Sequence, residues 1–305
     1  MNNKTAVCLT GASGFLGSNL IRYFEKELCQ VKHISREWLN NSNAVLNFGA
    51  TTIIHLAGKA HDLREVSRPE EYYNVNLELT KRLYGAFLAS DARKFIFLSS
   101  VKAAADHLDE PLTEDFTPNP QTHYGKSKLM AEEYIQSQPL PHGKSYYILR
   151  PCMIHGPGNK GNLNLLFKFV NKGIPYPLGC FNNRRSFLSV ENLCFIINEI
   201  ITRDDIPGGI YHIADDDTLS TTEVVSILAS SINKKPRLLK IPKTIIMLLA
   251  KVGDLLHLPL TTERLNKLTE NYVVSNQKIK NALKKILPLT AIEGIKITAN
   301  SFKEN

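Results

Sequence analysis

The sequence has few cysteines, no long apolar run and no concentrated basic segment, and each shortage argues against a class of protein. The cysteines are odd in number, form no CxxC pair and lie mostly in apolar stretches, so we expect free thiols rather than a disulfide framework. No apolar run is long enough to span a bilayer, and the first predicted strand begins too early to leave room for a signal peptide. No arginine-rich run or aromatic-interleaved basic patch is present. We therefore expect a cytoplasmic protein that does not bind nucleic acid.

The composition is that of an ordinary globular protein with a basic balance. Hydrophobic residues make up 43% of the 305 residues and charged residues 22%. Lys and Arg number 37 against 29 Asp and Glu, which gives a net charge of +8. Such a surface attracts phosphate-bearing ligands, although the same excess spread along the chain is also typical of a solvated surface.

The first half of the chain alternates short β-branched or aromatic runs with segments of helical periodicity. This alternation predicts a parallel sheet covered by helices, with strands that are apolar in their centres because both faces are buried. The first helix carries apolar residues at helical spacing from Phe15 onward, and another begins at Pro69. The predicted strands are Thr5–Leu9, Gln30–Ile34, Thr52–Leu56, Lys94–Leu98 and Ser145–Leu149.

After Arg150 the pattern changes to Gly- and Pro-rich loops, followed by a more helical region. A helix over Val190–Ile201 and a strand over Gly209–Ala214 are expected to return to the sheet, and Ser220 with Glu223 forms a capping box. We expect residues 1–158 and 183–215 to form a dinucleotide-binding domain, and 159–182 and 216–305 a substrate-binding part.

One apolar stretch, IPKTIIMLLAKVGDLLHLPL from Ile241, has two interpretations. It is long and apolar enough for a helix at a membrane interface. Its charged interruptions and flanking prolines favour a core-facing helix, so we expect no membrane insertion.

The sequence TGASGFLG joins the first predicted strand to the first helix and places Gly11, Gly14 and Gly17 at three-residue spacing. Gly11 allows a tight turn, Gly14 lets the backbone approach a pyrophosphate at a helix N-terminus, and Gly17 permits close packing of helix on strand. This context predicts a Rossmann-type doubly wound α/β fold with a smaller, mostly helical C-terminal substrate-binding part.

Several further motifs accompany the glycines. They are YxxxK at Tyr124 to Lys128, the Ser of FLSS at Ser100, the Asn of NVNLELT at Asn76, and Arg150-Pro151 with Gly156-Pro157-Gly158. With these motifs and its TGxxGFxG turn, the chain resembles the extended short-chain dehydrogenase/reductases of the NAD-dependent epimerase/dehydratase family, and within it the nucleotide-sugar branch. The resemblance covers essentially the whole chain and departs from the family pattern at His155, where the usual residue is Tyr.

Tyr124, Lys128 and Ser100 are the candidate catalytic residues. Tyr124 and Lys128 are four residues apart and share a helix face, where an ammonium lowers the pKa of a nearby phenol toward the range useful for proton transfer. Ser100 adds a hydrogen bond to the same substrate oxygen. Such a site interconverts a ketone and an alcohol.

The expected cofactor is NADP or NAD. No Asp or Glu occupies the end of the second strand, and Ser35 with Arg36 could bind a 2′-phosphate, which favours NADP; an exposed Arg36 without that role is the alternative. The expected cofactor-binding residues are Gly11, Ser13, Gly14, Phe15, Leu16, Gly17, Ser35, Arg36, Leu56, Ala57, Asn76, Tyr124, Lys128 and Pro151.

The resemblance also implies a UDP-sugar substrate. Asn162 and Arg185 fall where the family contacts a nucleotide diphosphate, with Arg184 as the alternative to Arg185. Lys102 is expected either to help bind substrate or to lie on the surface. The expected substrate-binding residues are Ser100, Lys102, Tyr124, Asn162 and Arg185; no metal is expected.

Three activities remain open. Dehydratases of this family carry an Asp-Glu pair after the active-site Ser or Thr, whereas this chain has Val101 and Lys102, so dehydration is set aside. The resemblance implies reduction of a 4-keto-(6-deoxy)-N-acetylhexosamine in surface-polysaccharide synthesis, with 4-epimerisation as the alternative. A non-catalytic NAD(P)-binding regulator is the third possibility.

Homodimerisation through helices within Pro69–Ser90 and His123–Gln138 is an expectation from the family.

Overall fold

The structure is a computed structural model that describes residues 6–27, 29–35, 37, 48–59, 68–159, 161–256 and 260–303. Its main sheet is parallel throughout, with the strand order β2-β1-β3-β4-β5-β8 across the described residues. Because β2 and β3 lie on opposite sides of β1, the strand order reverses at β1, and such reversals are where doubly wound sheets bind ligands. The strands are β1 (Ala6–Thr10), β2 (Gln30–Ile34), β3 (Thr52–His55), β4 (Lys94–Leu98), β5 (Ser145–Pro151) and β8 (Gly209–Ile213).

The predicted Rossmann-type sheet is confirmed, with small changes in strand bounds and one error. β5 extends two residues beyond its predicted end, and Thr5 lies outside the described residues. β2 was predicted to be buried on both faces, but Gln30, Lys32 and His33 are exposed. The reason is its position, since β2 is an edge strand paired with β1 alone in the described part of the sheet.

Helices cover both faces of the sheet, as the alternating side chains of the strands require. Val7 and Leu9 of β1 pack with Leu20 and Phe24 on one face, while Cys8 packs with a second cluster on the other. The flanking helices are α1 (Phe15–Lys26); α2, which runs through Pro69–Tyr72, a π-helical segment Tyr73–Glu78 and Leu79–Leu88; α3 (His123–Ser137); and α5 (Val190–Thr202).

The C-terminal region adds a small sheet and several helices with a core of their own. The small sheet has the order β6-β7-β9, and Ser220 and Glu223 form the predicted capping box. Tyr272, Val274, Ile279 and Leu283 pack instead with the core of the main sheet. The elements are β6 (Met153–His155), α4 (Asn162–Asn171), β7 (Arg185–Ser189), β9 (Thr218–Leu219), α6 (Thr221–Ser231), α7 (Lys243–Leu256), α8 (Thr262–Thr269), α9 (Gln277–Leu283) and α10 (Ala291–Ser301).

The apolar stretch from Ile241 forms a core-facing helix as predicted, but the face that meets the core is narrower than its apolar content indicates. The segment forms α7 as expected, but only Ile246, Ala250 and Gly253 are buried in it. Most of its large apolar side chains face solvent, because one narrow strip of the helix meets the core. No helix in the described ranges has the length and apolar content needed to cross a membrane.

Two helical glycines allow a matched test of the glycine turn. A Cβ at Gly17 would lie 2.3 Å from the Gly11 carbonyl oxygen, whereas a Cβ at Gly85 would meet nothing within 4 Å. We expect Gly17→Ala to lower the free energy of unfolding by about 1–3 kcal/mol, because the backbone of the turn must move. Gly85→Ala should raise it by about 0.5–1 kcal/mol, because alanine restricts the unfolded chain. Urea denaturation measures both, and equal effects would contradict the close-packing role of Gly17.

Candidate active site

The glycine turn joins β1 to α1 and leaves the start of that helix available to an anion. Gly11 adopts a φ of +72°, and a Cβ there would lie 2.8 Å from the Ala57 backbone nitrogen. Gly14 is the N-cap of α1, and no described side chain caps the first turn. The unpaired amides and the helix dipole therefore fit the pyrophosphate of a dinucleotide.

Asn76 connects the loop that follows β3 to helix α3. It is fully buried in the π-helical segment of α2, its amide nitrogen donates to the Lys59 carbonyl at 3.1 Å and the Ser127 hydroxyl at 3.0 Å, and its Oδ1 accepts from the Lys59 amide at 2.7 Å. A Cβ on Gly58 would lie 3.1 Å from Lys128 Nζ. The loop that begins at Leu56 and Ala57 therefore runs directly past Lys128.

Ser100, Tyr124 and Lys128 come together beyond the carboxyl end of β4. Ser100 follows that strand, and its side chain hydrogen-bonds to Tyr124, which lies in the first turn of α3. Lys128, one turn further along α3, is buried and donates to the carbonyl of Leu98 at 2.9 Å. The arrangement places a phenol, a hydroxyl and an ammonium at one edge of the sheet.

The pKa values of these groups differ from the expectation that Lys128 would lower the pKa of Tyr124. Burial raises the pKa of Tyr124, opposed by the hydrogen bond from Ser100. Burial lowers the pKa of Lys128 to about 8, opposed by the charge of Glu132. The ammonium of Lys128 bonds to the Leu98 carbonyl. Desolvation therefore has the larger effect on the pKa of the Tyr124 phenol.

Glu132 holds the helix that carries Tyr124 and Lys128, and it is not among the residues predicted from the sequence. It lies on α3 one turn after Lys128, is fully buried, accepts from the Ser99 hydroxyl and pairs with Arg150 of β5. Arg150 Nε lies 3.1 and 3.0 Å from the two carboxylate oxygens of Glu132, and Nη2 lies 2.5 Å from one of them. The signal available in the sequence was a Glu four residues after Lys128 on a helix, together with an Arg at the end of an apolar strand.

A cavity of about 590 Å³ opens beside Tyr124 and is lined by every predicted substrate-binding residue except Ser100. Lys102, Asn162 and Arg185 all line it, whereas Arg184 is absent from the lining and pairs at 3.6 Å with Glu223. Ser100 reaches this region through its hydrogen bond to Tyr124. Of the two neighbouring arginines, Arg185 therefore faces this cavity and Arg184 does not.

Lys102 and Arg185, two of the three cations in the cavity wall, are held by local contacts. Lys102 Nζ donates to the Asp106 carbonyl at 2.8 Å and lies 4.2 Å from the centre of the Tyr272 ring. Burial lowers the pKa of Lys102. Arg185 donates to the Lys267 carbonyl at 2.8 Å. Lys102 is thus part of the cavity wall and not a surface lysine; Tyr272 had no signal in the sequence.

The remaining predicted cofactor-binding residues lie at the glycine turn and at the carboxyl ends of β2 and β5. Phe15 and Leu16 begin α1 and are partly buried, Ser13 is exposed in the glycine turn, and Pro151 ends β5 in the interior. Ser35 directly follows β2, and Arg36 lies outside the described residues. His155, which replaces the family's Tyr, is buried and bonded to Thr298 at 2.8 Å. In the described part of the chain, no group of three or more His, Cys, Asp or Glu could hold a metal ion.

The fold and the residues at this sheet edge define an NAD(P)-dependent enzyme of Rossmann type. The family model for the NAD dependent epimerase/dehydratase family matches residues 7–214, and the chain belongs to that family.

Individual relatives cover nearly the whole chain. A UDP-glucose 4-epimerase from Vibrio cholerae is 29% identical over 97% of this chain and 95% of its own. An N-acetyl-alpha-D-glucosaminyl-diphospho-ditrans,octacis-undecaprenol 4-epimerase from Escherichia coli O157:H7 is 27% identical over 97% and 89%. The structure of RMD from Pseudomonas aeruginosa complexed with NADPH shares the fold, with a TM-score of 0.76, 18% identity and coverage of 99% of this chain and 100% of that one.

Removing the charge beneath the site should destabilise the protein. Glu132→Gln leaves Arg150 buried without its counterion, and we expect a loss of about 3–5 kcal/mol in the free energy of unfolding. The neighbouring Glu133 is exposed, so Glu133→Gln should change it by less than about 0.5 kcal/mol. Urea denaturation compares the two variants. A small effect at Glu132 would contradict the supporting role of the ion pair.

Proposed function

We propose that the protein is an NAD(P)-dependent oxidoreductase that acts at the 4-position of a UDP-linked sugar. We further propose that it reduces a 4-keto-(6-deoxy)-N-acetylhexosamine in surface-polysaccharide synthesis. The observation that carries the proposal is that Tyr124, hydrogen-bonded to Ser100, lines the same cavity as Lys102, Asn162 and Arg185. A proton donor thus lies beside a cavity whose lining includes three cations, Lys102, Arg185 and Lys267, together with the carboxylates of Asp106, Glu263 and Glu270.

The residues of the chain account for the proton half of such a reduction. NAD(P)H, when bound, supplies the hydride to the carbonyl carbon, and the oxygen then requires a proton. Tyr124 donates that proton, and Ser100 stabilises the developing negative charge by a hydrogen bond. Burial raises the pKa of Tyr124, so the phenol is protonated at neutral pH. A protonated phenol is the form that a reductase requires.

The far side of the cavity suits a diphosphate. Asn162 is the first residue of α4, and no described side chain caps that helix, so its amides and dipole attract an anion. Arg185 offers a planar group for bidentate phosphate binding, and Lys102 adds a second positive charge. We assign the diphosphate to this end and the sugar to the end at Tyr124. We retain 159–182 and 216–305 as the proposed substrate-binding part, to which Lys102 and Arg185 contribute from the proposed dinucleotide-binding domain.

Epimerisation at the same carbon is the second candidate, and it is supported by the two relatives described above, both of which are named 4-epimerases. In that reaction the phenol removes a proton first and later returns it, and the cofactor is not consumed. NADP is the cofactor we propose for the reductase, since among the described residues at the end of β2 Ser35 stands where NAD-binding sites commonly carry an acidic residue.

The two candidates differ in cofactor consumption. With a UDP-4-keto-6-deoxy-N-acetylhexosamine and NADPH, we expect one NADPH to be oxidised for each sugar reduced. The decrease in nicotinamide absorbance measures this oxidation. Interconversion of two UDP-sugars without net oxidation would overturn the reductase in favour of the epimerase. Mass spectrometry of the cofactor retained on the purified protein gives an independent test, because it distinguishes NADP, which we propose for the reductase, from NAD.

Tyr124→Phe serves as the catalytic control. Because the variant keeps the ring and removes the transferable proton, kcat should fall by about 10²–10⁴-fold while NADPH binding is retained. Unchanged turnover would remove Tyr124 from the mechanism. A parent chain that binds NADPH but turns over no UDP-sugar would favour a non-catalytic NAD(P)-binding regulator.

Arg185 and Arg184 provide a matched pair for the diphosphate. Arg185→Gln should raise the KM for the UDP-sugar by about 10–100-fold, because a charge-assisted hydrogen bond is lost. Arg184→Gln should change KM by less than about twofold, because Arg184 is not part of the cavity lining. Steady-state kinetics distinguishes them, and the opposite order would move the diphosphate to Arg184.

A further inference from the structure

Helix α7 has an exposed apolar face that neither the core nor the proposed reaction uses. Its buried side, made by Ile246, Ala250 and Gly253, packs into the C-terminal core. With 3.6 residues per turn, the exposed large apolar residues other than Met247 fall in one arc of about 120° on a different side of the helix. They are Ile245, Leu248, Leu249, Val252, Leu255 and Leu256.

The exposure of this face is large for individual side chains. Leu255 is 78% exposed and Leu248 is 63% exposed. Single exposed leucines are ordinary on protein surfaces, but a contiguous patch of this kind marks an interaction site. The face therefore requires an occupant.

The segment that leads into α7 and forms most of it is cationic, and Asp254, which bonds to Thr262, is the one acidic residue of the helix. From Val224 to Gly253 the sequence contains no Asp or Glu and six cations, which are Lys234, Lys235, Arg237, Lys240, Lys243 and Lys251. A cavity of about 340 Å³ is lined by Lys234, Lys235 and Arg237 together with the exposed Ile174, and its lining contains no carboxylate. On α7, Lys251 borders the apolar arc and is itself exposed.

The length of the helix fixes how it can meet a lipid. Its 14 residues give a length of about 21 Å, shorter than the hydrocarbon core of about 30 Å. A helix with an apolar arc, a cationic border and this length lies in the plane of a bilayer surface, with its apolar side chains among the acyl chains. Cations beside such a helix add attraction to anionic headgroups.

We propose that α7 docks the protein onto an anionic phospholipid bilayer, with its apolar arc inserted at the interface and the cations of 234–251 against the headgroups. The proposal does not depend on the proposed function. It has a geometric consequence for the site, because α8, whose first residue Thr262 bonds to Asp254 of α7, also lines the 590 Å³ cavity through Glu263, Lys267 and Leu268. A docked α7 holds the cavity near the lipid surface.

Vesicle flotation of the full chain tests the proposal without any measurement of turnover. We expect binding to vesicles of equal parts phosphatidylcholine and phosphatidylglycerol at low salt, weaker binding to phosphatidylcholine alone, and weakening with added salt. If the chain does not float with the anionic vesicles at low salt, the proposal is overturned.

Two matched pairs of variants locate the binding face. Leu255→Glu should lower the partition coefficient at least about tenfold, because a leucine that inserts among the acyl chains is replaced by a charge that the anionic surface repels. Ile286→Glu, at a side chain 88% exposed outside α7, should leave it within about twofold of the parent. Lys251→Gln should weaken binding about fivefold, and Lys296→Gln on α10 should not.

The controls distinguish binding of α7 to lipid from binding of α7 to a second copy of the chain. All four side chains are exposed, so unchanged far-ultraviolet circular dichroism is expected, and sedimentation gives the oligomeric state of each variant. Equal losses at Leu255 and Ile286 would overturn the proposal. So would a dimer that Leu255→Glu dissociates in a chain that does not bind vesicles, because the face would then be covered by a second protomer.

Discussion

The candidate site depends on one buried carboxylate. Glu132 lies at the middle of α3, accepts from Ser99 beside Ser100, and pairs with Arg150 at the end of β5. These contacts fix the rotation and height of α3 against the carboxyl ends of β4 and β5. Because Tyr124 and Lys128 lie on the same helix, their positions follow from that attachment. A buried ion pair contributes little net stability, yet the loss of one partner leaves a buried charge, so the pair constrains geometry more than it adds stability.

Much of the sheet could be predicted because its strands are short apolar runs between loops. β4 is buried at all five residues, and its bounds were predicted correctly. β2 shows the limit of that reasoning, since a run of five residues carries no information about whether a second neighbour covers it. The π-helical segment of α2 had no signal in the sequence, although it carries Asn76, which the family motif did identify.

The site was predictable where its residues are close in sequence and unpredictable where they are distant. The four-residue spacing of Tyr124 and Lys128 gave the shared helix face, but not which oxygen the lysine ammonium contacts. That ammonium bonds to the Leu98 carbonyl, 30 residues away in the chain, and burial therefore controls the pKa of the phenol. Likewise Tyr272 reaches Lys102 from the far end of the sequence, a contact that only the folded chain defines.

Both of the main failures of sequence reasoning concern residues that break the rule of apolar inside and polar outside. Glu132 is a charged residue in the interior, and the apolar arc of α7 is on the surface. The periodic pattern is correct in both helices, but it states only that one face differs from another. It does not state which face the rest of the chain will cover, because coverage is decided by segments far away in sequence. Departures of this kind are retained at a stability cost only where another requirement is met. At Glu132 that requirement is the fixed position of Tyr124 and Lys128, and at α7 we propose that it is contact with an anionic surface, because the segment 234–251 carries six cations and no acidic residue.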